Sequence, residues 1–419
     1  MPLLNEIPQL EILKQIAKAR KTRVYLIGGF LRDYLLKRPC FDLDFAVEKD
    51  AIALARAFAK KIKGAFVLLD KEHGCGRVAT AKSGRAGEQA RTFDFADFRA
   101  PGLKGDLRHR DFTINTFCVD IQKLSTGSVI ASHRDDSGFI LKKLRKARSR
   151  SERSATTKQS LWVRDCFAKS ARKDTTILDL RKGRKDLKFK IIRMNSAKVF
   201  KEDPLRLLRA FSLRAQLGFK IEPKTLQQIK RDTHLLREVS FERIRDELFK
   251  VLSSSKATEN LRSMDKLGLL SQIIPPITVM YGVKQGGYHH LDVWPHTLEA
   301  VSQFEKIMDE VRGEPELFAY LNEPIAGDRP RFALIKLALL LHDIGKPGTR
   351  KKEGERYSFH GHEHVGRDIA RPIAKALKLS TDERYALENM VLHHLRPARR
   401  YGEPQVRPCG FLPSPGTGC

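Results

Sequence analysis

VYLIGGFLRDYLLKRPCFDLDFAV, residues 24–47, is the stretch on which the fold turns. Its first four residues, Val24 to Ile27, are apolar or aromatic and read as a strand. Gly28 and Gly29 end that strand, and a helix follows from near Leu31. Glycines let the backbone come close to a phosphate group, and the amides that open a helix face such an anion. Alone, a Gly–Gly pair is usually only a turn. Phe41 to Val47 reads as a second strand, in which Asp42 and Asp44 stand two apart. Side chains at that spacing leave the same face of a strand. Two carboxylates so close repel each other unless a cation neutralises them, and Mg2+ prefers oxygen ligands of this kind. Ions held there could activate an attacking hydroxyl and stabilise a departing pyrophosphate. The bland alternative is two solvated strand acids, and the Gly–Gly just upstream argues against it.

Working outward, Ala65–Leu69, Arg77–Thr80 and Thr92–Phe95 are further candidate strands, so residues 23–120 form a palm of strands with short helices. Asp94, in TFDFADFR, is a candidate third carboxylate. The first twenty residues carry Leu10, Leu13, Ile16 and Ala17 on one helical face and lack the layout of a signal peptide. From about Gln122 to Thr176 the character changes, and KKLRKARSRSER (142–153) reads as a flexible basic insertion, whether or not it grips phosphates. Helical periodicity returns over Pro204–Leu217 and Phe241–Leu252, and a histidine-rich helical region starts after about Ser263. Residues 403–419, rich in Pro and Gly, read as an unstructured tail. There is no internal repeat.

At 419 residues the chain predicts roughly two to four domains. Its 79 basic against 50 acidic residues leave a net charge of +29, which attracts polyanions. A hydrophobic content of 41% and a mean hydropathy of −0.40 describe a soluble globular protein with ordinary cores. No run of about 18 apolar residues occurs, so no membrane span is expected. The cysteines Cys40, Cys75, Cys118, Cys166, Cys409 and Cys419 form no CxxC pair and read as reduced thiols of a cytoplasmic protein.

FKEDPLRLLRAF (200–211) places Pro204 in a first helical turn with Glu202 or Asp203 as its cap. Asp203 and Arg206 then lie one turn apart on one face. An acceptor beside a forked donor can read a nucleobase edge: cytosine and adenine both offer an amine next to an acceptor, whereas uracil and guanine reverse the pattern. A capped helix with an i, i+3 ion pair is the plainer reading. Four histidine-bearing stretches follow: HHLDVWPHTL (289–298), LLHDIGKP (340–347), FHGHEH (359–364) and VLHH (391–394). Imidazoles with a carboxylate suit a transition metal. His296, His342 and Asp343 are the best ligands, with His360, His362, His364 and His393 as further candidates.

GGFLRD followed by DLD resembles the polymerase-β-like nucleotidyltransferases, specifically the bacterial class II tRNA nucleotidyltransferase and poly(A) polymerase family, the CCA-adding enzymes. DLRHRDFTINTF (106–117) is similar to the family's second motif, with His109 in place of an Arg. LDLRKGRKDL (178–187) resembles a degraded third motif in which Asp179, Gly183 and Asp186 match, and reads as a hinge. FERIRDEL (241–248) resembles a fifth motif, with Glu242 and Arg243 bracing. LLHDIGKP and its companions resemble an HD-type phosphohydrolase domain, although no obvious later Asp closes the site.

The resemblance implies an α+β fold: a polymerase-β-like head with a mixed sheet over residues 1–193, a helical neck over 194–262 and a helical HD domain over 263–402. It implies that Asp42 and Asp44 are catalytic metal ligands for Mg2+. Gly28, Gly29, Arg32, Arg110 and Asp111 would bind the nucleotide, with Asn115 ordering the loop. Asp203 and Arg206 would select C and A, with Arg209 in support, and the HD site could take a transition metal. The implied activity is addition of CMP and AMP from CTP and ATP to a tRNA 3′ end, with tRNA, CTP and ATP as partners and no membrane. A poly(A) polymerase, the A-adding half of a split CCA system, or an HD phosphohydrolase with an RNA-binding head are the alternatives. The sequence leaves the oligomeric state open.

Overall fold

The computed structural model describes residues 7–80, 90–124, 177–285, 291–354 and 356–396. Most of the expected insertion over 122–176 and all of the tail at 403–419 lie outside the described residues, as do His289 and His290. The chain divides into two compact units, residues 1–199 and 200–419.

The first unit is built on a six-stranded mixed sheet. Its strands are β1 (Val24–Ile27), β2 (Asp42–Val47), β3 (Ala65–Asp70), β4 (Cys75–Ala79), β5 (Thr92–Asp97) and β6 (Cys118–Asp120), ordered β3-β4-β5-β2-β1-β6. Only β2 and β5 run parallel; the other pairs are antiparallel. The strand at Cys118–Asp120 was not foreseen, because three residues carry too little pattern. Helix α1 (Gln9–Ala19) buries Leu10, Leu13 and Ala17, while Ile16 is half-buried. Helix α2 (Gly29–Leu35) follows β1, and α3 (Ala51–Ile62) buries Leu54, Ala55 and Phe58. Phe45 stacks on Phe95 with ring centroids 5.0 Å apart, and Phe58 meets both Phe93 and Phe95 edge-on. That aromatic cluster fills one face of the sheet. Because strand side chains alternate, the acids between those phenylalanines leave by the other face.

Beyond α4 (Gly102–Arg108) and β6, the chain re-enters the described region at Ile177 and is stitched back at once. Leu178 pairs with Cys118, and Met194 pairs with Phe112, on either side of α5 (Gly183–Phe189).

The second unit is helical. Its longer helices are α6 (Arg206–Leu217), α7 (Pro223–Asp232), α8 (Phe241–Leu252), α9 (Ala257–Lys266), α10 (Val293–Glu310), α11 (Arg331–Leu341), α12 (His362–Ala376) and α13 (Thr381–His393). Leucines at helical spacing make α6 and α8 amphipathic, burying Leu207, Leu208 and Phe211 on one and Ile244, Leu248 and Leu252 on the other. Gly218, at φ +67°, stops α6 in the left-handed turn that glycine accepts without a steric penalty. Ser380 and Glu383 cap α13 reciprocally.

Candidate active site and metal centre

Strand register assembles the acidic site. Ile27, Asp44, Asp94 and Arg77 stand opposite one another on β1, β2, β5 and β4. Asp42 faces Thr92, whose hydroxyl donates to Asp42 Oδ1. Gly28 sits at φ +82°, and a Cβ there would lie 2.7 Å from Asp44 Oδ2. The Asp44 carboxylate therefore points at the glycine turn and leaves no room for any other residue. Asp42 is exposed and Asp44 half-buried, so the pair is open to solvent and not sealed in the core. Asp94 lies beside Asp44, as a third ligand should, but Arg77 donates to both its oxygens at 2.7 Å from Nε and Nη2. The hydrogen bond to Asp94, reinforced by the fields of Asp94, Asp42 and Asp44, raises the Arg77 pKa above its ordinary value. Sequence reasoning missed Arg77. Two hard carboxylates on one open face fit a divalent, oxygen-preferring ion.

Next to this face the second motif folds into a buried network. Asp111 Oδ1 accepts from the Phe112 amide at 2.7 Å and from Asn115 Nδ2 at 3.0 Å. Asn115 Oδ1 takes Arg32 Nη1 at 2.8 Å, and Arg32 Nε and Nη2 also grip Asp33. Asn115 thus orders the loop, and Arg32 belongs to the scaffold of that loop. Arg110 pairs with Asp106 at 3.6 Å. The degraded third motif supports the same loop. Asp179 accepts from the Gly183 and Arg184 amides, and Asp186 accepts from Thr113 Oγ1 at 2.6 Å. A Cβ on Gly183 would stand 2.4 Å from the Thr113 carbonyl.

In the second unit, Arg206 is buried at the start of α6, and Arg209 is exposed. The expected Asp203–Arg206 pair is loose at 3.9 Å, and Arg206 Nη1 lies nearer Glu202, at 3.4 Å. Asp203 is held instead by Arg243 Nη2, at 3.0 and 3.2 Å from its two oxygens. Bracing by Arg243 is thus directed at Asp203.

The histidine cluster centres on Asp343, whose side chain is buried. His342 Nε2 and His296 Nε2 lie 3.0 and 3.5 Å from its Oδ2, while His362 Nε2 and His394 Nε2 lie 3.4 and 3.7 Å from Oδ1. His360 and His364 are exposed and stand outside the cluster, and His394 occupies the place expected of His393. Adjacent residues on a helix point about 100° apart, so only one of the two can face His362. His342, His362 and His394 each place Nδ1 within 2.7–2.8 Å of a carbonyl oxygen three residues back. Each Nδ1 therefore carries the proton, and each Nε2 offers a lone pair. His362 Nε2 and His394 Nε2 nevertheless stand 3.1 Å apart. Asp343 Oδ2 is buried without a well-formed hydrogen bond, although Lys346 Nζ is 2.8 Å away. Facing lone pairs around a buried carboxylate fit a bound cation. Burial opposes ionisation of Asp343, and the Lys346 ammonium beside it favours ionisation. Burial pushes the His394 imidazole down to about 4. Lys346 also donates to Gln285 at 2.6 Å; its i, i+3 spacing from Asp343 was the overlooked signal.

A mixed-sheet head with paired strand acids under a glycine turn, followed along the chain by a helical unit with a His–Asp cluster, defines a nucleotidyltransferase head in one chain with an HD domain. Residues 24–134 match the Poly A polymerase head domain, 218–280 the probable RNA and SrmB-binding site of polymerase A, and 293–412 the HD domain. The A-adding tRNA nucleotidyltransferase of Deinococcus radiodurans is 31% identical over 84% of this chain, and the CC-adding tRNA nucleotidyltransferase of Thermus thermophilus is 26% identical over 88%. The chain spans 64% and 68% of the length of these two relatives. A solved structure described as a tRNA-processing enzyme in its apo form shares the fold over 96% of this chain and 80% of its own, with a TM-score of 0.61 and 21% identity. The chain thus carries, in order, a poly(A) polymerase head domain, a probable RNA-binding segment and an HD domain, and it is similar to bacterial tRNA nucleotidyltransferases. Both domains imply dependence on divalent metal. Among the described residues no helix is long and apolar enough to cross a membrane.

Proposed function

We propose that the protein is a tRNA nucleotidyltransferase that adds CMP and AMP from CTP and ATP to the tRNA 3′ end, in the cytoplasm. The observation that carries this reading is the register placing Asp42 and Asp44 on one open face, with Asp44 against Gly28. Asp42 and Asp44 would hold Mg2+, which stabilises charge on attacking and leaving oxygens. Thr92 orients Asp42, and the tight turn at Gly28 fixes Asp44. Asp111, aligned by Asn115, and Arg110 receive the nucleotide, with Arg32 anchoring Asn115 from behind. Gly28 and Gly29 leave the backbone accessible to the triphosphate. Asp203, braced by Arg243, accepts from the exocyclic amine that cytosine and adenine share, and Arg206 donates to the neighbouring acceptor. Arg209 supports them from the exposed face of α6. The HD cluster of His296, His342, Asp343, His362 and His394 would hold a transition metal through its imidazoles.

Addition of A alone is the second reading, favoured by the 31% identity to an A-adding relative. Purified full-length protein with Mg2+ is given tRNA ending before CCA or after CC, with labelled CTP and ATP separately and together. Incorporation of C then A supports CCA addition. A added only after CC supports the second reading, long A tails mark a poly(A) polymerase, and no incorporation overturns both.

A further inference from the structure

We propose that the outer face of α5 is an RNA-docking surface, on which Lys182, Lys185 and Lys188 grip backbone phosphates and Phe189 stacks a base. The segment lies between the residues matched by the head and RNA-binding models. Lys182, Lys185, Lys188 and Lys190 are all exposed. Among the described residues none of the four has a carboxylate partner. The two acids of the segment are committed elsewhere: Asp179 to the Gly183 and Arg184 amides, Asp186 to Thr113 and Arg193. The arginines are tied down as well. Arg181 bonds the Asn195 side chain and carbonyl, and Arg184 reaches the Ile177 carbonyl. What remains outward is a row of lysines with no carboxylate partner among the described residues, around a phenylalanine that is 60% exposed and has Lys188 Nζ 6.0 Å from its ring centroid.

Lysines alone describe an ordinary solvated face. An exposed aromatic ring among them does not, since water gives it no partner, whereas a nucleobase stacks on it and the adjoining phosphates meet the lysines. The inner face of α5 adds a reason for the location. Gly183 is pressed against the Thr113 carbonyl and Asp186 holds the Thr113 hydroxyl, so the helix is fastened to the loop that carries Asp111 and Asn115. RNA on the outer face would sit about one helix diameter, roughly 10 Å, from that loop. The inference rests on the reading of the chain as an RNA nucleotidyltransferase.

Full-length protein is titrated into labelled tRNA lacking CCA, by fluorescence anisotropy over a range of salt. The variants are Lys185→Glu/Lys188→Glu, its neutral counterpart Lys185→Gln/Lys188→Gln, Phe189→Ala, and the control Lys60→Glu/Lys61→Glu on α3. Both α5 lysine pairs should weaken binding more than the control and lower the log–log salt slope by about 1.4 to 1.8, the loss of two phosphate contacts. Phe189→Ala should weaken binding about tenfold, Phe189→Trp should retain it, and the incorporation rate at saturating tRNA should stay unchanged in all of them. Salt slopes equal to that of the control overturn the proposal, as does wild-type affinity in Phe189→Ala. Binding to phosphatidylserine vesicles that depends on these residues, with RNA affinity untouched, overturns it in favour of a membrane surface. Because affinity and incorporation are read separately, tRNA binding that depends on α5 in a protein that incorporates nothing would sink the activity and leave the surface standing.

Discussion

Gly28→Ala is the perturbation whose consequences the structure sets most closely. Gly28 has φ +82° and ψ −149°, a region open almost only to glycine, where another residue costs about 1–3 kcal/mol. The added methyl would also stand 2.7 Å from Asp44 Oδ2, several tenths of an ångström inside ordinary contact. Relief requires the carboxylate to rotate away from the turn or the turn to open. A total near 3 kcal/mol should lower the head's melting temperature by about 6–12 °C. With Asp44 holding Mg2+ as proposed, displacing its oxygen by about 1 Å should slow nucleotide incorporation about a hundredfold. Gly102→Ala separates the two effects, since Gly102 has φ +70° and nothing within 4 Å of its missing Cβ. That variant should lose stability and keep its incorporation rate at low temperature. Thermal melts and single-turnover incorporation at 20 °C, with enzyme in excess over tRNA, provide the comparison. If Gly28→Ala incorporates nucleotide as fast as Gly102→Ala, Asp44 is not held by the glycine turn and the reasoning fails.

Asp42→Ala should lower incorporation at least about a thousandfold, because stabilising the charge of the reacting oxygens is worth several kcal/mol; a loss under tenfold would remove Asp42 from the chemistry. Arg206→Ala should relax the choice of C and A over U and G more than it slows incorporation, and Arg243→Ala should do so more weakly by freeing Asp203. Unaltered nucleotide selectivity in Arg206→Ala refutes the templating role. His394→Ala should lose bound transition metal, measured by elemental analysis of the purified protein, while His393→Ala keeps it; equal metal content in the two would dissolve the cluster as drawn. Glu383 is fully buried against Arg329, at 2.6 and 2.9 Å, and although burial opposes its ionisation, Arg329 and the Ser380 amide hold its pKa below the ordinary glutamate value. A depressed carboxylate stabilises above its unfolded pKa, near 4.5, and that stability is lost as pH falls through the folded value. Glu383→Gln should therefore cost about 3 kcal/mol at pH 7 and flatten the acid limb of the melting curve; an unchanged acid limb would dismiss Glu383 as its source.

The head was legible because its signals are local. Val24–Ile27 announces itself as an unbroken apolar run, the Asp42–Asp44 strand by alternation, and the glycines between them by backbone freedom. Phe241–Leu252 was read to the residue from leucine and isoleucine spacing alone. What escaped lies in partnerships across the chain. Nothing near Asp94 reveals that Arg77, on another strand, takes both its oxygens, and nothing near Asp203 reveals Arg243. His393 was named where His394 belongs, since two adjacent histidines look equivalent until the helix phase is known.

The pairing of β2 with β5 that aligns Asp44 beside Asp94 is also the pairing that stacks Phe45 on Phe95. A slip of one residue would turn the acids inward and push the phenylalanines out to water. Chains misassembled at the acidic face would thus be sticky, and so exposed to chaperones and proteases. Quality control of the acids is delegated to the oily side of the same ribbon.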